Sequence, residues 1–66
     1  MTNTLKVERA IKNITQEELA KIIGVSRQTI NAMEANKYVP STVLALKLAQ
    51  YFNKRVEDIF QLSSDD

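Results

Sequence analysis

Between Thr15 and Asn36, the run TQEELAKIIGVSRQTINAMEAN holds two helix starts with one helix stop between them. Thr15 is a good N-cap, and Glu18 three residues on completes a capping box. Leu19, Ile22 and Ile23 then recur at helical spacing. Gly24, the only glycine of the chain, follows them where a helix end needs a residue tolerant of positive φ. Two residues later Ser26 caps a second helix, Arg27 to Ala35, whose Ile30 and Met33 face inward. A turn this short forces a sharp crossing and buries one face of each helix against the other. Whatever else the chain forms must pack around this pair.

The remaining elements follow in order. Asn3 or Thr4 can cap a first helix from Leu5 to about Asn13, or residues 1–4 can form a short extended arm. In that helix Val7, Ala10, Ile11 and Ile14 share a stripe, while Leu5 lies opposite with Arg9 and Lys12. The pattern predicts a helix contacted on both flanks. Asn36 to Pro40 is a loop, with Asn36 fit for the left-handed position and Pro40 blocking continuation. Ser41 caps a fourth helix, about Thr42 to Phe52. Its broad apolar face of Leu44, Ala45, Leu48, Ala49 and Phe52, flanked by Leu46 and Tyr51, marks the central core helix. Asn53 ends it. A short fifth helix, about Val56 to Phe60, carries Glu57 and Asp58 where the dipole favours them. Arg55 is a poor cap, so this helix is expected to fray at its start. Residues 61–66 form a polar acidic tail, although Leu62 leaves room for a brief strand. The expectation is all-α: one domain over residues 1–66, a five-helix bundle, with scope for a short terminal β-pair.

Composition removes several function classes. Without cysteine there is no disulfide framework or thiolate metal site. Without histidine there is no imidazole zinc site and no His-based acid/base catalysis. No phosphate-binding glycine loop is present, and Glu17–Glu18 and Glu57–Asp58 sit at helix starts, where capping explains them. No enzyme and no cofactor are expected. No apolar run nears the roughly 20 residues of a membrane span, and the N-terminus lacks a signal-peptide core, so the expected location is cytoplasmic, with the nucleoid. Net charge is only +1. Residues 1–40 carry six basic and four acidic groups, and residues 41–66 three and four, a bias too mild to argue for nucleic acid alone.

TQEELAKIIGVSRQTINAMEANKYVPS resembles the Cro/C1-type helix-turn-helix of phage repressors and small bacterial regulators, the group also called xenobiotic-response-element-like. The likeness runs from LKVER through ALKLAQYF to VEDIF, and NKYVPS is similar to a short stand-alone subgroup. It departs at Glu8, where the family often has a large aliphatic residue, and at Arg55, where a capping residue is common.

The resemblance implies roles at matching positions. Arg27, Gln28 and Asn31 would read base edges, Arg on guanine and Gln or Asn on adenine, with Thr29 and Ala32 near thymine methyls or a phosphate. Gln16, Ser26, Lys37 and Tyr38 would contact the phosphate backbone and fix register. Arg9 and Glu34 would form a largely buried structural ion pair. The implied function is a sequence-specific regulator of transcription, a repressor, that binds double-stranded DNA as a homodimer on a palindromic operator, with no small-molecule ligand. Tyr51, Val56, Ile59 and Leu62 are the candidate dimer surface, although Ile59 also suits the core. The alternative is an antitoxin that neutralises a partner protein and represses its own operon.

Overall fold

Hydroxyl side chains begin the second, third and fourth helices, and left-handed residues follow all but the last. In the computed structural model, which describes Met1–Asp66, the order is β1 (Thr2–Asn3), α1 (Leu5–Lys12), α2 (Gln16–Ile23), α3 (Arg27–Glu34), α4 (Thr42–Phe52), α5 (Val56–Ile59) and β2 (Phe60–Gln61). Thr15 and Glu18 cap α2 reciprocally, at 2.9 and 3.0 Å. The hydroxyls of Ser26 and Ser41 accept the third N–H of α3 and α4, at 3.2 and 3.1 Å. Gly24 stops α2 at φ 86°, and Asn13, Asn36 and Asn53 take the same left-handed conformation after α1, α3 and α4. Asparagine tolerates it because its short polar side chain bonds locally.

Twelve side chains drawn from all five helices and β2 form one core, with Leu5, Leu19, Ile30, Met33, Leu48 and Ile59 wholly buried. α2 and α3 pack on each other, and the carbonyl of buried Ala20 accepts the N–H groups of both Gly24 (2.8 Å) and Val25 (3.0 Å). Helix closure and the turn thus meet at one small residue. A larger side chain there would separate the pair.

The terminal β-pair is present. β1 and β2 are antiparallel, with Thr2 opposite Gln61 and Asn3 opposite Phe60. Asn3 also reaches α3, donating to the Met33 carbonyl at 2.7 Å and to Asn36 Oδ1 at 3.0 Å. The fifth helix is therefore one residue shorter than its pattern suggests, because Phe60 is extended and belongs to the strand.

Four expectations need correction. First, the helix expected to be contacted on both flanks buries Leu5 and Glu8 on one side, while of its apolar stripe only Ile14 packs on the core and Val7 and Ile11 are 57% and 70% exposed. Charges on the inward side are paired, Glu8 with Lys54 at 3.2 Å and Arg9 with Glu34 at 2.6 Å, which makes a polar-looking face compatible with burial. Second, the start of α5 is held: the Asp58 carboxylate accepts from the Arg55 N–H at 3.3 Å and from its guanidinium at 3.2 Å. Third, Ile59, a candidate for the dimer surface, has no exposure at all and closes the core. Fourth, Ile22, on the expected inner face of α2, is half exposed.

Candidate nucleic-acid interface

α3 is the element with the clearest division of faces. Ile30 and Met33 are fully buried. Arg27, Gln28 and Asn31 are exposed on the other side, and none of the three side chains makes a hydrogen bond or ion pair within the protein. Thr29 and Ala32 are half buried at the flank. The Thr29 hydroxyl lies 2.9 Å from that of Ser26, whose oxygen also accepts the Thr29 N–H. When Thr29 donates to Ser26, the Ser26 proton is left for an outside acceptor.

The start of α2 stands beside the start of α3. Arg9, Asn13, Thr15, Gln16, Glu17 and Arg27 line an open groove of about 560 Å³ between them, with Ala10 and Ile14 as its apolar part. The capping box uses the N–H groups of Thr15 and Glu18, so those of Gln16 and Glu17 stay without a partner at the positive end of the helix. The Gln16 side chain is not free, however. Its amide donates to Glu34 Oε1 at 3.1 Å.

Arg9 and Glu34 meet in two contacts, Nε to Oε2 at 2.6 Å and Nη2 to Oε1 at 3.1 Å, with side chains only 15% and 6% exposed. Burial pushes the Glu34 carboxyl up, but the hydrogen bonds from Arg9 and Gln16 outweigh it, and its pKa lies below the ordinary value. The hydrogen bonds that Arg9 donates to Glu34 hold its guanidinium more firmly protonated.

At the far end of α3, Asn36 in its left-handed turn carries the chain into the loop, and the Lys37 N–H closes on the Ala32 carbonyl at 2.9 Å. Lys37 and Tyr38 are exposed on this anchored backbone. The interface candidates thus come together along the starts of α2 and α3 and the end of α3.

The four dimer candidates do not come together. Tyr51 stacks edge-on against Phe52, lies under Lys12 Nζ at 5.0 Å, and borders a groove with Ile22 and Lys47. Val56 lies in a separate apolar groove of about 210 Å³ with Met1, Val39, Pro40, Leu46 and Phe60. Leu62 is 83% exposed. Sequence reasoning missed the part played by Met1, Val39 and Leu46 here. The available signal was an apolar Val-Pro pair inside an otherwise polar loop. It also missed Asn3, for which no local pattern exists.

A helix-turn-helix family profile matches residues 5–59. An uncharacterised HTH-type transcriptional regulator of Methanocaldococcus jannaschii is 54% identical over 66 residues, the whole of both chains. A second, YgzD of Bacillus subtilis, is 42% identical over the whole of both. Among solved structures, the SOS-response transcriptional repressor LexA of Eubacterium rectale superposes with a TM-score of 0.80 at 34% identity, covering 94% of this chain and 66% of that one. With a capped α2–turn–α3 unit and these likenesses, the chain belongs to the Cro/C1-type helix-turn-helix family, a family of transcription regulators and not of enzymes.

Proposed function

We propose that the protein is a repressor that reads double-stranded DNA by laying α3 in the major groove, as a homodimer on a two-fold symmetric operator. One observation carries this reading: Arg27, Gln28 and Asn31 stand unpaired on the outer face of a helix whose inner face is wholly buried. Arg suits guanine O6 and N7, and Gln or Asn suits adenine N6 and N7. Thr29 and Ala32 flank these readers, and Gln16, Ser26, Lys37 and Tyr38 surround them as backbone contacts. The repressor sense is supported by the likeness to LexA. Such a protein works where the chromosome is, in the cytoplasm.

A single α3 offers three or four base contacts, too few to select one site in a genome. Two copies double them. The molecule measures 31 × 23 × 21 Å, which allows one copy per helical turn of about 34 Å. The apolar groove at Val56, walled by the exposed Val39 and Leu46, is the surface offered to the second copy.

Selection of bound sequences from random duplexes is the test. A two-fold symmetric site is the expected product; an asymmetric site would remove the homodimer, and no enrichment would remove sequence-specific reading. On the selected site Arg27→Ala or Gln28→Ala should cost about 1–3 kcal/mol and relax preference at one base pair. Lys37→Ala should instead weaken binding to every duplex and lower the salt slope by about one unit.

The antitoxin reading has one observation behind it: Val7 and Ile11, one turn apart and exposed on α1, border neither apolar groove. Co-purification of a stoichiometric protein partner that is lost on Ile11→Lys would favour it.

A further inference from the structure

Glu34 does more than neutralise Arg9. Its Oε2 accepts from Arg9 Nε, while its Oε1 accepts from both Arg9 Nη2 and Gln16 Nε2. The remaining guanidinium nitrogen donates to the Ile14 carbonyl at 3.0 Å. Three bonded side chains therefore join α1, the segment entering α2, the first residue of α2 and the last residue of α3. Gln16 and Arg9 both reach the groove shared with Arg27, and Glu34 stands behind them.

An amide nitrogen carries two hydrogens. With one of them donated to Glu34 at 3.1 Å, the Gln16 amide is tethered and the second hydrogen is confined to a narrower range of directions. Without Glu34, that side chain would be free to turn, and its ordering would oppose any contact it makes. Arg9 lines the groove and brings its charge there, whereas Glu34 does not line it, so what Glu34 adds at Gln16 acts through geometry.

We propose that Glu34 is a positioning residue for DNA binding, which holds the Gln16 carboxamide so that its second N–H is preorganised for a backbone phosphate. This rests on the reading that the start of α2 faces DNA. It assigns the carboxylate a role in binding, where pairing with Arg9 alone would be a matter of stability. It also couples the phosphate contact at α2 to the end of the reading helix.

The test uses the full chain and a random-sequence 30-bp duplex, because a phosphate contact does not depend on sequence. Arg9→Met with Glu34→Gln removes the charge pair but leaves an acceptor for Gln16. Arg9→Met with Glu34→Met removes the acceptor as well, at the same net charge. Both avoid a lone buried charge, so both are expected to fold. Affinity should fall about fivefold, the worth of one net hydrogen bond, between the first pair and the second. The salt slope should stay unchanged. In a Gln16→Met background the same two pairs should bind equally. An equal drop with or without Gln16 would show that residue 34 acts only through the fold, and no drop would show that it does not act on binding; either overturns the proposal. If the unmutated chain binds no duplex at any salt concentration, the reading of α2 as a DNA-facing element falls, and the proposal with it.

Discussion

Gly24 shows how one residue can be required for its backbone alone. It sits at φ 86°, and a Cβ built on it would meet nothing within 4 Å. The penalty for a side chain is therefore conformational, not steric. Gly24→Ala should destabilise the fold by about 1–2 kcal/mol, the strain of one left-handed residue. Gly24→Asn should be milder, because Asn13, Asn36 and Asn53 already adopt φ of 56°, 61° and 55° in this chain. Urea unfolding of the two variants checks the order. A loss well above 2 kcal/mol for alanine would mean that α2 and α3 approach more closely in solution. Ala20 is the opposite case, since its smallness is what the helix crossing uses.

At the scale of elements, α1 is the instructive one, because its charges rather than its apolar stripe decide which side goes in. Glu8 is buried beside Leu5, and its partner Lys54 lies just past the end of α4 with its side chain 44% exposed. The two ends of this pair are not equivalent. Lys54→Met should destabilise by about 1–3 kcal/mol, since it leaves a buried carboxylate without a donor. Glu8→Leu should be neutral or stabilising, because the exposed ammonium returns to water and an apolar residue fills the site. Thermal unfolding of both variants tests the asymmetry; equal losses would argue against it. α5 makes a related point. Its start is secured by an Asp58–Arg55 contact that reverses the usual direction of capping, the N3 carboxylate reaching back to a residue that cannot itself accept.

Over the whole molecule, carboxylates tie ends together. The N-terminal ammonium holds Asp66 down to about 2, across a contact of 2.7 Å. The Thr15 N–H lowers Glu18, the Arg55 guanidinium lowers Asp58, and Glu34 is lowered despite its burial. Each pKa is lower in the folded state than in the unfolded chain. Their contributions are thus complete above the unfolded values, 4.5 for Glu and 3.8 for Asp, and are lost as pH falls through the folded ones. The thermal midpoint should be level from pH 7 to 5 and then decline steadily below about pH 4.5. Circular dichroism melts across that range check it, and a midpoint that rises on acidification would contradict the assignment.

The helix boundaries, the single tight turn and the outward polar face of α3 were legible in the sequence because each rests on local chemistry. Thr15, Ser26 and Ser41 start helices with their own hydroxyls, and Gly24, Asn36 and Asn53 stop them with their own backbones. These effects span three or four residues and so leave a readable pattern. The face that α1 buries, the Asn3 brace on α3 and the Glu34–Gln16 contact were not legible, because they join residues 18 to 46 positions apart. The dimer candidates failed to cohere because closeness in sequence does not set which surface a side chain reaches: Tyr51 and Val56 are five residues apart but border different grooves. The sequence by itself determined where α2, α3 and α4 begin and end and which short helix keeps one apolar and one polar face. Only the tertiary structure decided which charges are buried and which apolar side chains stay outside, because a charge can be buried only where folding brings its partner.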